Sequence, residues 1–335
     1  MPARDGSIRY VTNSELQTFK ACRRKWWLAY WRKLTPVKED RTGARGVGTH
    51  IHLALAERYK PGGTEAEAHQ MLANSYAADL SMYEEQQRLD EIPQLQKDQE
   101  LATIMLEGYF EWVAEEGADI GLDIYATEAE VSAPVGLTDV LSGAPIELLG
   151  RLDVRVRRET DGARLFLDHK NVGSFSQATQ TLHMDEQMLM YHLLEMLDQT
   201  ARGIAPEDQV RCDGGIYNML RRVKRTASAK PPFYAREEIH HNLTELRGFY
   251  VRVMNTIRDI MLLEQDLATS PEDQHHLIAY PRPSRDCTWS CDFYAACHLF
   301  DDGSHVEGLL SSAYTSYDPL ARYTEQESGL EGESA

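Results

Sequence analysis

Near the middle of the chain, Gly150-Arg151-Leu152-Asp153 and Leu167-Asp168-His169-Lys170 flank the pair Asp161-Gly162. Asp-Gly between apolar runs signals a β-hairpin, because its favoured turn needs positive φ at both central residues. In the first run Leu152, Val154 and Val156 alternate with Arg151, Asp153 and Arg155, the period of a strand with one apolar and one polar face. In the second, Asp168 and Lys170 stand two apart and share a face. The strand pair therefore lets two carboxylates and an ammonium converge. Oxygen-rich clusters of this kind hold hard divalent cations and stabilise charge on a phosphodiester during hydrolysis. A lone Asp-x-Lys is more often a solvated surface pair, so the inference depends on its company.

A chain of 335 residues can form one large domain or two modest ones, and 42% hydrophobic with 26% charged residues is the balance of a soluble globular protein. No stretch reaches the roughly 18 uninterrupted apolar residues of a membrane helix, and there is no signal-peptide core, so a cytoplasmic location without membrane partners is expected. The formal charge of −18 argues against nucleic acid, yet its distribution is uneven. Residues 20–45 hold nine Lys and Arg against Glu39 and Asp40, and residues 211–236 hold seven against Asp213. Salt screens surface potentials beyond roughly 8–10 Å, so two such patches on an acidic body can track a phosphate backbone. Arg221, Arg222, Lys224 and Arg225 begin a stretch with the look of a mobile loop. Residues 301–335 carry eight acidic side chains against Arg322 and read as a largely flexible tail, with Tyr314, Tyr317 and Tyr323 as its candidate docking points.

Periodicity gives the rest of the plan. Ser14-Glu15-Leu16-Gln17 has capping-box spacing and predicts a helix through Cys22 to about Trp31. A second helix carries His50, His52 and Leu55; Thr64 with Glu67 caps a third; Leu101, Met105, Tyr109 and Trp112 mark a fourth. Alternation from Tyr125 predicts the first strand before the hairpin. Helix returns from Asp185 to about Leu197, then a strand near 216–220, then a long helix with Leu243, Leu246, Tyr250, Val253, Ile257 and Ile260 on one stripe. Strands bracketed by helices indicate an α/β or α+β core with a helical lobe near residues 60–120.

Three further constellations accompany the hairpin. Gly48-Thr49-His50-Ile51-His52 places a histidine four residues after a glycine, and Gln187 and Tyr191 stand at i and i+4 on one helix face. Taken singly, a core histidine and a helix-surface pair are the ordinary explanations. Cys287, Cys291 and Cys297 pack three thiols into eleven residues, and Cys22 stands alone near the start. In a chain without a secretory leader, clustered cysteines point to metal rather than disulfides. Four thiolates suit zinc or an iron–sulfur cluster, and His298 could replace Cys22 in a zinc site. Cys212, beside a predicted strand, reads as a small buried hydrophobe.

In order, these motifs are Cys22, G-x-x-x-H at Gly48–His52, G-R-L-D at Gly150–Asp153, D-x-K at Asp168–Lys170, Q-x-x-x-Y at Gln187–Tyr191 and a terminal C-x3-C-x5-C. Together they resemble the RecB-like, iron–sulfur branch of the PD-(D/E)XK nuclease superfamily: CRISPR-associated exonucleases, AddB-type nuclease domains and their phage relatives. The first terminal spacing departs from the C-x2-C common in that branch. The resemblance implies an α/β restriction-endonuclease-like core, a mixed central sheet flanked by helices, with a helical insertion. An iron–sulfur staple would join the N- and C-terminal segments, about 14–33 and 285–300, within one nuclease domain over 1–300. It implies that His52, Asp153, Asp168 and the His169 carbonyl bind Mg²⁺ or Mn²⁺, that Lys170 activates water, and that Gln187 and Tyr191 support the site and contact DNA. Cys22, Cys287, Cys291 and Cys297 would hold a 4Fe-4S cluster, with zinc the weaker alternative.

The expected activity is a metal-dependent DNA exonuclease of a bacterial cell or its phage, in recombination, repair or CRISPR adaptation, with a protein partner from such a pathway. No G-x-x-x-x-G-K-[ST] motif is present for ATP-driven unwinding, so single strands or DNA ends are the expected substrate. The rivals are a catalytically idle DNA-binding or scaffold subunit and a zinc-stabilised binding protein. The intact Asp153, Asp168 and Lys170 set argues against the first, and an absorbance band near roughly 400 nm would separate an iron–sulfur cluster from the zinc of the second.

Overall fold

The computed structural model describes residues 6–323. The chain divides into two compact units: one from Met1–Glu39, Ser132–Gly150 and Arg247–Ala335, the other from Asp40–Val131 and Arg151–Leu246. The described strands are β1 (Arg9–Thr12), β2 (Leu34–Pro36), β3 (Leu122–Thr138), β4 (Pro145–Arg158), β5 (Arg164–Val172), β6 (Cys212–Arg221), β7 (Tyr234–His240) and β8 (Tyr314–Ser316). β3 pairs with β4, and each has one end in each unit. No helix among the described residues is long and apolar enough to cross a membrane.

In the second unit the sheet runs in the order β4-β5-β6-β7. β4 and β5 are antiparallel with Val154 opposite Leu167, β5 and β6 parallel with Asp168 beside Tyr217, and β6 and β7 antiparallel. The hairpin forms where Asp161-Gly162 predicts it. Gly162 takes φ +71°, and Asp161 Oδ1 accepts a hydrogen bond from the Ala163 N–H at 3.2 Å. The connection spans residues 159–163 rather than two residues.

One sheet face carries Val154, Val156, Leu165, Leu167, Ile216 and Leu220. It packs on the helices Gly43–Tyr59, Glu65–Glu85 and Ile92–Glu116 through residues such as Ile51, Leu55, Leu72 and Leu106. Each such side chain contributes about 1.5–3 kcal/mol on leaving water. The Thr64–Glu67 capping box forms as its spacing predicts. The other face is covered by the helix Glu186–Ala201, whose N-cap Asp185 accepts from the Gln187 and Met188 N–H groups at 2.9 and 3.0 Å. A Cβ at Gly215 would fall 2.4 Å from the Phe166 ring and 2.8 Å from Met188, so glycine is what admits this helix so near the strands. The polar face of β4 is consequently not solvated: Arg155 is buried and paired with Glu195 and Asp198, and Arg164 joins the same carboxylates.

In the first unit, β1 pairs in parallel with the start of β4, from Arg9 beside Ile146 to Thr12 beside Leu149. The following helix begins at Asn13, capped by Thr12, which accepts from the Glu15 N–H at 3.2 Å, and not by Ser14. β1 ends at Thr12, so the extended residue that a cap requires comes two positions earlier than the spacing suggested. Nor does this helix run unbroken to Trp31. Cys22 is extended, at φ −163° and ψ 117°, and the chain resumes as Arg23–Trp26 and a π-turn at Trp27–Trp31.

The acidic segment expected to be flexible is ordered as far as residue 323. Helix Val306–Ala313 buries Val306 and Leu310, β8 pairs with β2, and Arg32 grips Glu307 through two hydrogen bonds of 2.8 Å. The net charge had obscured an apolar stripe at helical spacing. The rest of that segment lies outside the described residues.

Arg9 joins the first unit's stretches, its guanidinium meeting Glu15 at 3.4 Å, Asp139 at 2.8 Å and Glu264 at 2.5 Å. All three carboxylates are buried. Arg9→Met should cost about 3–5 kcal/mol, because it leaves three buried carboxylates without a counter-charge; urea denaturation followed by circular dichroism measures it.

Candidate active site

Strands β4 and β5 place Asp153 and Asp168 side by side on neighbouring strands, and a backbone contact fixes the first. The His169 N–H donates to Asp153 Oδ2 at 2.8 Å. The helix Gly43–Tyr59 brings His52 to the same oxygen, Nδ1 to Oδ2 3.3 Å. His50, two residues earlier, turns into the helical lobe, with Nδ1 2.9 Å from Ser75 Oγ and Nε2 3.1 Å from Asp79. His52 is thus at the candidate site and His50 is an interhelical clamp.

Asp168 is 1% exposed, and Lys170 Nζ lies 2.6 Å from its Oδ2. Apart from that ammonium, no hydrogen-bond donor among the described residues reaches either Asp168 oxygen. Burial pushes the Asp168 carboxyl up to about 6, with Lys170 opposing and the Asp153 charge reinforcing. Burial would raise Asp153 too, but His52, with His169 and Lys170 behind it, holds it well below the usual range. His52 is raised, the nearby Asp153 charge outweighing its burial. Burial drives His169 down to about 3, leaving it neutral. One carboxylate is thereby held ionised and its neighbour held near protonation.

The helix Glu186–Ala201 completes the Asp168 side. Arg164 pairs with Glu195, the Phe166 ring meets Tyr191 edge-on at 5.7 Å, and Gln187 Nε2 donates to the Tyr191 hydroxyl at 2.9 Å. Strand and helix run so that Gln187 lies toward the Asp168 end. Tyr217 was not anticipated: it neighbours Asp168 in register, and its ring lies 5.9 Å from Lys170 Nζ. Its signal was an aromatic at the right parity in a strand read only as apolar.

The donors fit a hard cation in kind: a buried carboxylate met among the described residues by Lys170 alone, beside an ionised one and an imidazole. As they stand, no three His, Cys, Asp or Glu side chains among the described residues converge to hold a metal ion. Asp153 is engaged by His52 and His169, and Asp168 by Lys170.

The four terminal-segment cysteines all lie in the first unit and line a cavity of about 400 Å³ with Pro281, Arg282 and Ser284. None of the four is in a disulfide. The Arg282 N–H donates to Cys22 Sγ at 3.4 Å and the Ser284 N–H to Cys287 Sγ at 3.3 Å. Arg24, expected in a basic surface patch, is 1% exposed. It donates to the Cys297 carbonyl at 2.9 Å, the His276 carbonyl at 2.8 Å and Asp301 at 2.7 Å. Cys212 opens β6 in the second unit, its thiol pushed up to about 12 by burial.

The basic stretch after β6 is partly neutralised within the chain. Lys224 pairs with Glu100 at 2.6 Å and Arg225 with Glu111 at 2.5 Å, while Arg221 donates to the Lys230 carbonyl at 3.0 Å. The Arg222 N–H donates to the Val172 carbonyl at 2.8 Å, two residues past Lys170.

The family model of the PD-(D/E)XK nuclease superfamily matches residues 10–298, and no curated protein matches the chain. The chain belongs to the PD-(D/E)XK nuclease superfamily. Its described architecture, a mixed sheet flanked by helices, fits that fold.

A carboxyl raised by folding stabilises the native state below its unfolded pKa and loses that contribution as pH climbs through the folded value. Asp168→Asn should therefore gain stability relative to the native chain between pH 4 and 7, by on the order of 1–2 kcal/mol. Paired thermal melts at pH 4.5 and pH 7.5 without divalent metal check this; an equal difference at both values refutes it.

Proposed function

We propose that the chain is a metal-dependent DNA exonuclease acting on single strands or DNA ends, with its terminal segments joined by a 4Fe-4S cluster. The observation that carries this reading is the buried Asp168 carboxylate, met among the described residues by Lys170 alone and adjoining ionised Asp153. In a superfamily of nucleases this is the place for a divalent cation, Mg²⁺ or Mn²⁺, held by His52, Asp153, Asp168 and the His169 carbonyl. When bound, such an ion supplies Lewis-acid stabilisation of a phosphoryl oxygen.

The chain's own groups do the rest. The His169 N–H and His52 keep Asp153 ionised and aimed. The Lys170 ammonium orients the attacking water and offsets charge that develops on the phosphorus. Water adds to phosphorus, the bond to the leaving nucleotide oxygen breaks, and that oxygen takes up a proton. Gln187 and Tyr191 brace the site and contact DNA. Arg221, Arg222, Lys224 and Arg225 bind the backbone without reading bases, Lys224 and Arg225 exchanging Glu100 and Glu111 for phosphates.

For the thiol cavity, the N–H donors aimed at Cys22 and Cys287 suit a sulfur-ligated cluster, with zinc the weaker alternative. Such a cluster would tie segments 265 residues apart in sequence, and its ligation becomes folding free energy. A cytoplasmic role in bacterial or phage recombination, repair or CRISPR adaptation, with a protein partner from that pathway, follows from the resemblance.

Digestion of 5′- and 3′-labelled single and double strands with Mg²⁺ or Mn²⁺ tests the activity. Asp153→Ala, Asp168→Ala and Lys170→Ala should each cut the rate by about 10³-fold or more, roughly 4 kcal/mol of transition-state stabilisation. Near-native cleavage by any of them would falsify the assignment.

Cys22→Ser, Cys287→Ser, Cys291→Ser and Cys297→Ser should each lose iron and the absorbance near roughly 400 nm of thiolate-ligated iron, whereas Cys212→Ser should keep both. Anaerobically purified protein that contains zinc and no iron would sink the cluster.

A further inference from the structure

The ring of His169 lies on the sheet face opposite Asp168 and Lys170, in a buried polar network that the reaction does not use. Its Nδ1 is 2.8 Å from Asn218 Nδ2. The orientation of the Asn218 amide is fixed from the other side, because Arg236 Nε donates to Asn218 Oδ1 at 2.9 Å. The nitrogen of that amide must then face His169 and can only donate, so Nδ1 accepts and the ring proton sits on Nε2. Asn218 is wholly buried and donates also to the Tyr109 hydroxyl at 3.1 Å. Arg236 is held in turn by the Ala118 carbonyl at 2.5 Å, the Tyr59 and Tyr109 hydroxyls at 2.9 Å and Asp119 at 2.7 Å. β5 and β6 pair His169 with Asn218 in register.

We infer that Asn218, fixed by Arg236, is a positioning residue of the nuclease centre: it sets the ring of His169, and through it the backbone that holds Asp153. The inference rests on the proposed nuclease function. A wholly buried asparagine amid Ile216 and Leu220 is costly unless every group is satisfied, and here its donor and acceptor both are. The held residue is the one whose N–H anchors Asp153 and whose carbonyl is a proposed metal ligand. Outer groups that orient metal ligands characteristically change metal affinity about 10–100-fold when removed.

Asn218→Asp is the sharpest probe. It keeps the shape and the Arg236 partner but cannot donate to Nδ1, so the His169 proton must move to Nδ1. Three readouts are taken on the full chain: the His169 ring tautomer by ¹⁵N NMR, Mn²⁺ binding by EPR, and the Mg²⁺ dependence of cleavage. The expected result is a tautomer switch and Mn²⁺ affinity lowered about 10-fold. The Mg²⁺ concentration for half-maximal cleavage should rise alongside, with kcat at saturating Mg²⁺ nearly unchanged. Asn218→Ala should shift Mn²⁺ affinity the same way. Arg155→Lys, in a separate buried network, controls for lost stability. Mn²⁺ affinity within twofold of the native chain in Asn218→Asp overturns the inference, as does an equal loss in Arg155→Lys at matched Tm. Native protein with no Mn²⁺ site that Asp168→Ala removes overturns the nuclease reading itself, and the inference with it.

Discussion

The ion pair between Lys170 Nζ and Asp168 Oδ2, 2.6 Å long, is enclosed where desolvation of both charges outweighs much of their attraction. Everything around it in the second unit bears on that imbalance. The β4–β5 register brings Asp153 close enough for its charge to oppose ionisation of Asp168, while the His169 N–H and His52 keep Asp153 charged. The helix Gly43–Tyr59 supplies His52, and the Glu186–Ala201 helix seals the other face. The walls are rigid, and the site they enclose sets Lys170 and His52 against Asp168 and Asp153. Unequal partnering separates the two carboxylates, Asp153 held ionised and Asp168 held near protonation.

The first unit solves a different problem, the holding together of chain segments distant in sequence. Two arginines do this without metal. Arg9 gathers three carboxylates from three stretches. Arg24 spends its donors on the Cys297 and His276 carbonyls and on Asp301, so the wall of the thiol cavity is shaped before any ligand enters it. Planar guanidinium, with several donors in fixed directions, suits this task where lysine would not.

Much of this was legible in the sequence because period and turn chemistry are local. The Asp161-Gly162 hairpin, the shared face of Asp168 and Lys170 and the Thr64–Glu67 cap each depend on residues within a few positions. What escaped depended on distant partners. Arg24 reads as surface charge until the residue it meets, Asp301, is known. The acidic segment after residue 300 reads as flexible until β2 is there to pair with β8. Asn218 and Tyr217 sit in a run whose apolar character announces only a buried strand. Their roles come from the register with β5, which no local pattern encodes.

The segment order also bears on biosynthesis. The second unit has all its residues once position 246 has been made, whereas the first needs its last stretch, Arg247 onward. On the ribosome, Asp153 and Asp168 can therefore close into their hairpin before Cys287, Cys291 and Cys297 have joined Cys22. Translation itself would then place completion of the thiol cavity late, after the β4–β5 hairpin has taken shape.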